Sequence, residues 1–440
     1  MNEHPVQLVV SDDLTRERLT VFFRALLAIP HFIWLFLWSI AALPAAIANW
    51  LATLARGRSP AALHRFLAAY VKYVTQFYAY LHLAANPYPP FDGQAGYPVD
   101  VIIAAPARQN RWSVAFRVIL LLPAALLVGA LVGDPASSLN SGRGSFSFNA
   151  GLLPVAALLG WFAIMARGRM PHGLRDAAAY ALSYGAQFWA YALLLTDRYP
   201  DSDPLKAVPG LPLRADPIHL DVEDELRRSR LTVFFRLLLA IPHLIWLQLW
   251  GILALLAAIV SWLVTLFAGR SPAWAHRFLS AYLRYQFHVY AFLYLIANPF
   301  PGFVGKAGSY PLEIVVAARE RQNRWKTGFR LILVLPALLL AGAYGGLSGL
   351  VALLGWFSSL ARARMPRGLR NAGALALRYQ AQAFGYLLLL TDAYPYGGPT
   401  RELAPASERE SPADTSSPPS APSAGAAPSA PAAHPDVGLS

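Results

Sequence analysis

No charged residue stands between Ala25 and Ala55, and none between Leu237 and Ala268. A water-facing helix needs a polar side, and neither run has one. A bilayer-spanning helix needs about 20 apolar residues, and both runs exceed that. The whole chain is 56% hydrophobic and only 14% charged, more apolar surface than a soluble protein of 440 residues can use. The expectation is an integral membrane protein. Its 12% aromatic content suits rings placed at membrane–water interfaces.

The net charge is +13. The basic residues flank the apolar runs: Arg16, Arg18 and Arg24 before the first, Arg56 and Arg58 after it. Such flanks mark cytoplasmic ends facing anionic lipid. They form neither a patch nor a recognition helix, which argues against nucleic acid. The absence of cysteine excludes disulfides, thiolate metal sites and cysteine nucleophiles. Met1 to Arg18 is polar, and the first apolar run is too long for a signal h-region and lacks a cleavage site. That run is expected to remain as an anchor.

Internal repetition organises the chain. Arg18-Leu19-Thr20-Val21-Phe22-Phe23-Arg24 recurs as Arg230 to Arg236, Ile29-Pro30-His31 as Ile241-Pro242-His243, and Gly57-Arg58-Ser59-Pro60 as Gly269 to Pro272. Arg108-Gln109-Asn110-Arg111-Trp112 answers Arg321 to Trp325. Each half divides again. Phe-Arg pairs end at Arg24, Arg117, Arg236 and Arg330, each followed by a proline, then a tryptophan, then a second proline. The order predicts four units, 1–98, 99–200, 217–309 and 310–396. A Pro-rich linker covers 201–216. The Pro/Ser/Ala-rich tail, 397–440, holds too little apolar bulk to fold and reads as disordered.

Each unit is expected to open with a short strand of period two, such as Val6 to Val10 or Val99 to Ile103. Open sheet edges do not survive in hydrocarbon, so the strands belong in water. The second unit carries a polar insert, Asp134 to Asn149, inside its apolar run. Aligned breaks at Ser39, Gly251 and Gly345-Gly346 then suggest that each run is a transmembrane helical hairpin, helix A (about 19–38) and helix B (about 41–56) in the first unit. One long tilted helix is the competing reading. A third, amphipathic helix C follows, with Arg65, Lys72 and Gln76 on one face, and is placed at the interface. The fold class is therefore an all-α polytopic membrane protein with eight crossings and cytoplasmic termini.

The series Arg-Leu-Thr-Val-Phe-Phe-Arg, Ile-Pro-His, Gly-Arg-Ser-Pro and the closing Asn86-Pro87-Tyr88-Pro89-Pro90-Phe91 resembles the bacterial membrane family called domain of unknown function 4389. The resemblance covers nearly all of 5–396. It implies a membrane location and supplies no activity, ligand or catalytic residue.

Arg24, Arg117, Arg236 and Arg330 are the candidate anionic headgroup-binding residues, because guanidinium pairs with phosphate bidentately. The alternative is that each snorkels separately to the headgroups. His31, His243, His64 and His276 lack neighbouring carboxylates at ligand spacing, so interfacial hydrogen bonding is expected of them and neither metal nor cofactor is. Asp197 and Asp392, in matched Thr-Asp-x-Tyr-Pro segments, read as turn residues. With no acid or base inside the apolar runs and no catalytic constellation, the chain is read as a non-enzyme. The expected function is organising lipid or protein in the plasma membrane through a basic cytoplasmic face. The expected partners are the bilayer with its anionic phospholipid headgroups, and a second copy or another membrane protein. A transporter or channel for an anionic or lipid-like solute is the alternative.

Overall fold

The computed structural model describes residues 4–133, 151–208 and 210–402. Strand β1 (Val6–Val10) leads to a five-residue helix, α1 (Arg18–Phe22). After Phe23 the chain continues as α2 (Arg24–Leu27) and α3 (Ile29–Arg56), one apolar run of 33 residues. Gly57 adopts a left-handed conformation, φ 69°, which ends the helix and turns the chain. The return helix α4 (Ala61–Leu81) then runs back along it from Pro60. The same order follows in β2 (Val99–Ile103), α5 (Arg111–Ala115), α6 (Arg117–Val132), α7 (Leu152–Arg167) and α8 (His172–Ala192). After α9 (Pro204–Ala207) and β3 (Leu213–Arg214) come β4 (Ile218–Val222), α10 (Arg230–Phe234), α11 (Arg236–Ala268) and α12 (Ala273–Leu293). The last elements are β5 (Leu312–Val316), α13 (Arg324–Gly328), α14 (Arg330–Arg362), α15 (Arg367–Leu387) and β6 (Arg401–Glu402).

The expected hairpin of helices A and B does not form. Ser39, Gly251, Gly345 and Gly346 lie inside continuous helices. The physical reason is local. A glycine inside a helix costs about 1 kcal/mol relative to alanine. A turn in apolar surroundings would leave several backbone groups without partners, each at a cost of about 1–3 kcal/mol. Ser39 instead bonds its own helix, donating to Leu35 O at 2.6 Å. The polar insert 134–149 lies outside the described residues. Its flanks, Gly133 and Gly151, abut so closely that a side chain on Gly151 would strike the Gly133 backbone. Helices α6 and α7 therefore follow one another along α8, and Val132 reaches Gly185 near the middle of α8.

Three layers result. The long helices pack on the return helices, and the strands rest on the other side of the return helices. Strands β1 and β2 pair antiparallel with Val6 opposite Ile103, and β4 and β5 pair with Ile218 opposite Val316. Alternation holds: Val6, Leu8, Val99 and Val101 point into the core while Gln7, Val9 and Ile102 face out.

Of the polar stripe on the first return helix, Gln76 serves this sheet. Gln76 is fully buried and donates to Gln94 O at 2.8 Å and Asp100 Oδ1 at 3.3 Å. In α12, Arg284 donates to Ile314 O at 3.1 Å and pairs with Glu313 at 3.3 Å. His288, 1% exposed, sits 3.9 Å from Glu313. Burial, helped by the Arg284 charge, pushes the His288 pKa from 6.5 down to about 4. Between those values the unfolded chain binds the extra proton. The stability His288 contributes is therefore full above pH 6.5 and is lost as pH falls toward 4. Burial raises the Glu313 pKa, and that contribution runs the opposite way. Comparing the protein with His288→Gln separates the two. From pH 7 to 4.5 the parent is expected to lose about 2–3 kcal/mol more than the variant, read by thermal unfolding in detergent.

The compact unit runs through Glu402. Segment 201–216 is not a free linker, since Asp201 N donates to Gln187 Oε1 at 2.8 Å and β3 pairs parallel with β6, Leu213 opposite Arg401. Residues 397–402, assigned by sequence to the tail, belong to the fold as well. Gly397 and Gly398 press against Gly173 and Asp176, and Arg378 donates to Thr400 and to Gly398 O. The remainder of the expected tail, 403–440, lies outside the described residues.

Candidate functional site

The four Phe-Arg arginines each do the same local task. Arg24 is 3% exposed, and its guanidinium donates to Tyr80 O at 2.7 Å, Ala85 O at 3.0 Å and Asn86 Oδ1 at 3.1 Å. These are the carbonyls left over at the end of α4, where a helix lacks its own donors and carries partial negative charge. Leu83 turns the chain there with φ 63°, and Ala84 N closes the turn on Ala79 O at 2.8 Å. The Tyr80 ring stacks 4.4 Å from the guanidinium. Arg236 closes α12 in the same way through Ala297 O and Asn298, over Phe292.

Arg330 and Arg117 use a different last partner. Arg330 donates to Tyr386 O, Thr391 O, Gln322 Oε1 and Asp392. Arg117 bonds Gln109 Oε1 at 2.9 Å and Asp197 Oδ1 at 3.0 Å, beneath the Tyr191 ring at 3.8 Å. Asp197 also accepts from Asn110 N and Ser113 Oγ. Gln109 and Gln322 recur in the matched Arg-Gln-Asn-Arg-Trp segments, which by themselves give them no role. The available signal was their shared spacing, eight residues before Arg117 and Arg330.

The expected ring of four headgroup-binding arginines is therefore not present. Arg24 and Arg117 occupy opposite ends of their antiparallel long helices, and both guanidiniums are buried with their Nη atoms donating to protein acceptors. Snorkelling to headgroups is equally ruled out for them by burial. The exposed cations are others. Thr15 bridges Arg169, and Arg58 bridges Arg108, so the start of each long helix in the first half meets the end of the other. One end of this pair gathers the exposed Arg18, Arg167 and Arg169, and the other gathers the exposed Arg56, Arg58, Arg108 and Arg111. The second half repeats the balance, with Arg227 bridged to Arg364 at one end and Gln322 N bonded to Gly269 O at the other.

Between these rims lies apolar surface. Three helices, Arg24–Arg56, Arg236–Ala268 and Arg330–Arg362, are long and apolar enough to cross a membrane. In the first, only one stripe is buried, including Arg24, His31, Ala42, Asn49 and Thr53. His31 bonds the Tyr73 hydroxyl through Nδ1 at 2.9 Å and stacks on Phe91 at 4.4 Å; His243 repeats this with Tyr285 and Phe303. His64 Nε2 lies 3.3 Å from Leu195 O, at the end of α8. No three His, Asp or Glu side chains converge as metal ligands among the described residues. On the strand side, a groove of about 580 Å³ opens between α12 and the segment after β5, lined by His276, Arg277, Ser280, Arg284 and Arg319.

Three helices long and apolar enough to cross a membrane, repeated domains and arginine rims point to a membrane protein. The chain belongs to the family described as Domain of unknown function (DUF4389), whose model matches residues 18–92, 230–304 and 324–398. Neither the curated proteins nor the solved structures contain a match to it.

Proposed function

We propose that the protein is a non-enzymatic component of the bacterial plasma membrane that organises anionic lipid around a basic cytoplasmic face. The observation that carries this reading is the surface itself: an uncharged apolar slab whose ends are ringed by exposed arginines such as Arg18, Arg58 and Arg230. Apolar helices favour acyl chains, and guanidinium groups at their ends favour phosphate. The buried polar groups of the candidate sites are spent on closing helix ends, and this supports a structural rather than a chemical use. The basic groove beside Arg277 and Arg319 adds a second place where an anionic group is favoured.

The same reading includes a fourth, diverged unit at 99–200. It is supported by the order of β2, α5, α6, α7 and α8 and by Arg117, which meets Gln109 and Asp197 as Arg330 meets Gln322 and Asp392.

The test is the composition of the lipid shell. Protein extracted with its bound lipid is expected to carry more anionic phospholipid than the membrane it came from. Arg58→Glu combined with Arg270→Glu, both exposed positions, is expected to abolish that enrichment. A shell with the composition of the bulk membrane in the parent protein would defeat the proposal.

A further inference from the structure

The apolar side chains that the long helices turn outward run their whole length: Leu26, Phe36, Leu43 and Leu51 in the first, Leu238, Leu249, Leu256 and Phe267 in α11. We infer that these helices lie in the plane of a single leaflet, with the return helices and both antiparallel sheets on its water side. The chain then never crosses the bilayer. This deepens the lipid-organising reading and rests on it for the choice of lipid as the occupant of the apolar face.

The connections carry the inference. Helix α4 ends where α2 begins, because Arg24 holds Ala85 O. Arg108 bridges Arg58, at the far end of the same long helix. Residues 86–108 therefore travel the length of the helical hairpin as loop and strand, outside any helix. In the second half, Arg236 holds Ala297 O at one end and Arg319 reaches Ser271 O at the other. Residues 298–319 make the same journey. In a spanning arrangement, both extended segments would cross the hydrocarbon. Among the described residues each sheet has only two strands, and nothing pairs with its outer edges. Ile102 and Asp221 are exposed on the outside of the sheets, where none of the described residues covers them. Backbone of this kind is not tolerated against lipid.

Charge and length agree. Both ends of the long-helix pair carry exposed arginines, so a crossing would place one of the two clusters outside, against the positive-inside bias. Lying flat brings both clusters to one anionic surface. A helix of 33 residues is roughly 50 Å long at 1.5 Å per residue, well beyond a hydrocarbon core of about 30 Å. The polar sequence 134–149 enters between Gly133 and Gly151, partway along its long helix. In a crossing helix that point falls within the hydrocarbon. An interfacial helix normally carries its own polar face. Here the return helices and sheets supply it. Volume added to one leaflet alone expands that leaflet and favours a membrane curved toward the protein-bearing side.

The experiment uses the natural absence of cysteine. Glu17→Cys marks one end of the first long helix, Arg108→Cys the other, and Asp221→Cys a strand; all three positions are exposed. Each full-length variant is treated with a membrane-impermeant maleimide in intact spheroplasts and in inside-out vesicles. All three are expected to react in inside-out vesicles and to lose that reaction in spheroplasts. Reaction of Glu17→Cys and Arg108→Cys from opposite sides overturns the inference. So does silence of Asp221→Cys from both sides, which would put the strand in hydrocarbon. One-sided labelling together with an unenriched lipid shell would leave the in-plane placement standing and remove the lipid-organising function instead.

Discussion

Arg236→Ala is expected to lower the stability of the protein in detergent by on the order of 3–5 kcal/mol. The guanidinium is 3% exposed, donates to Phe292 O, to Ala297 O at 3.1 Å and to Asn298 Oδ1 at 3.3 Å, and stacks 4.3 Å from the Phe292 ring. Alanine removes every donor at once. The carbonyls at the end of α12 stay buried, and a buried acceptor without a partner costs about 1–3 kcal/mol. Leu295, held at φ 63° in the turn, loses the clamp that offsets its conformational cost. Arg236→Lys is expected to recover less than half of the loss, because an ammonium cannot reproduce a planar fork that spans two carbonyls and an amide. Thermal unfolding gives the magnitude, and hydrogen exchange at residues 290–298 gives the place. If Arg236→Ala unfolds like the parent, the arginine is not a structural clamp, and a direct role at the lipid headgroups becomes the better account.

That comparison marks where the sequence is legible. The four arginines stand out because Phe-Arg recurs at the head of every apolar run, and the closing Asn-Pro or Thr-Asp segments stand out because they recur as well. Their union is invisible in one dimension. Arg24 and Asn86 are separated by 62 positions, and only the antiparallel return of α4 brings them together. The strands are readable from alternation at Val6 to Val10, since period two is a local property. The partner of each strand is not local, and neither is the use of Gln76 and Arg284 to dock it. The expected hairpin that does not form has a different cause. In sequence, a charge-free run longer than one crossing divides most readily at its weakest residues, Ser39 and Gly251. A weak helix former still stays helical when the alternative is unpaired backbone in an apolar setting. Only the second unit has a true interruption, and there Gly133 meets Gly151 so that the two pieces keep the path of one helix.

The boundary at the C-terminal end yields the second large effect. A chain ended after Glu402 is expected to be more stable than one ended after Tyr396 by on the order of 3–5 kcal/mol. Residues 397–402 look like the start of the Pro/Ser/Ala-rich tail, yet their partners are among the most buried polar groups in the protein. Arg378 is 5% exposed in the middle of α15, and Thr400 and Gly398 O are acceptors for its guanidinium. The hydroxyl of Tyr344, fully buried on α14, donates to Gly397 O. Shortening the chain to Tyr396 strips two acceptors from a buried cation, and a buried charge that loses acceptors is costly. A subtler variant separates packing from hydrogen bonding. Gly398 leaves no room for a side chain, because a Cβ there would strike Asp176 Cβ. Gly398→Val is therefore expected to lift the segment off α8 while every residue remains present. Its thermal unfolding should approach that of the Tyr396 truncation. If both shortened chains and Gly398→Val unfold at the parent's temperature, the segment is an ornament on the fold and Arg378 finds its acceptors elsewhere.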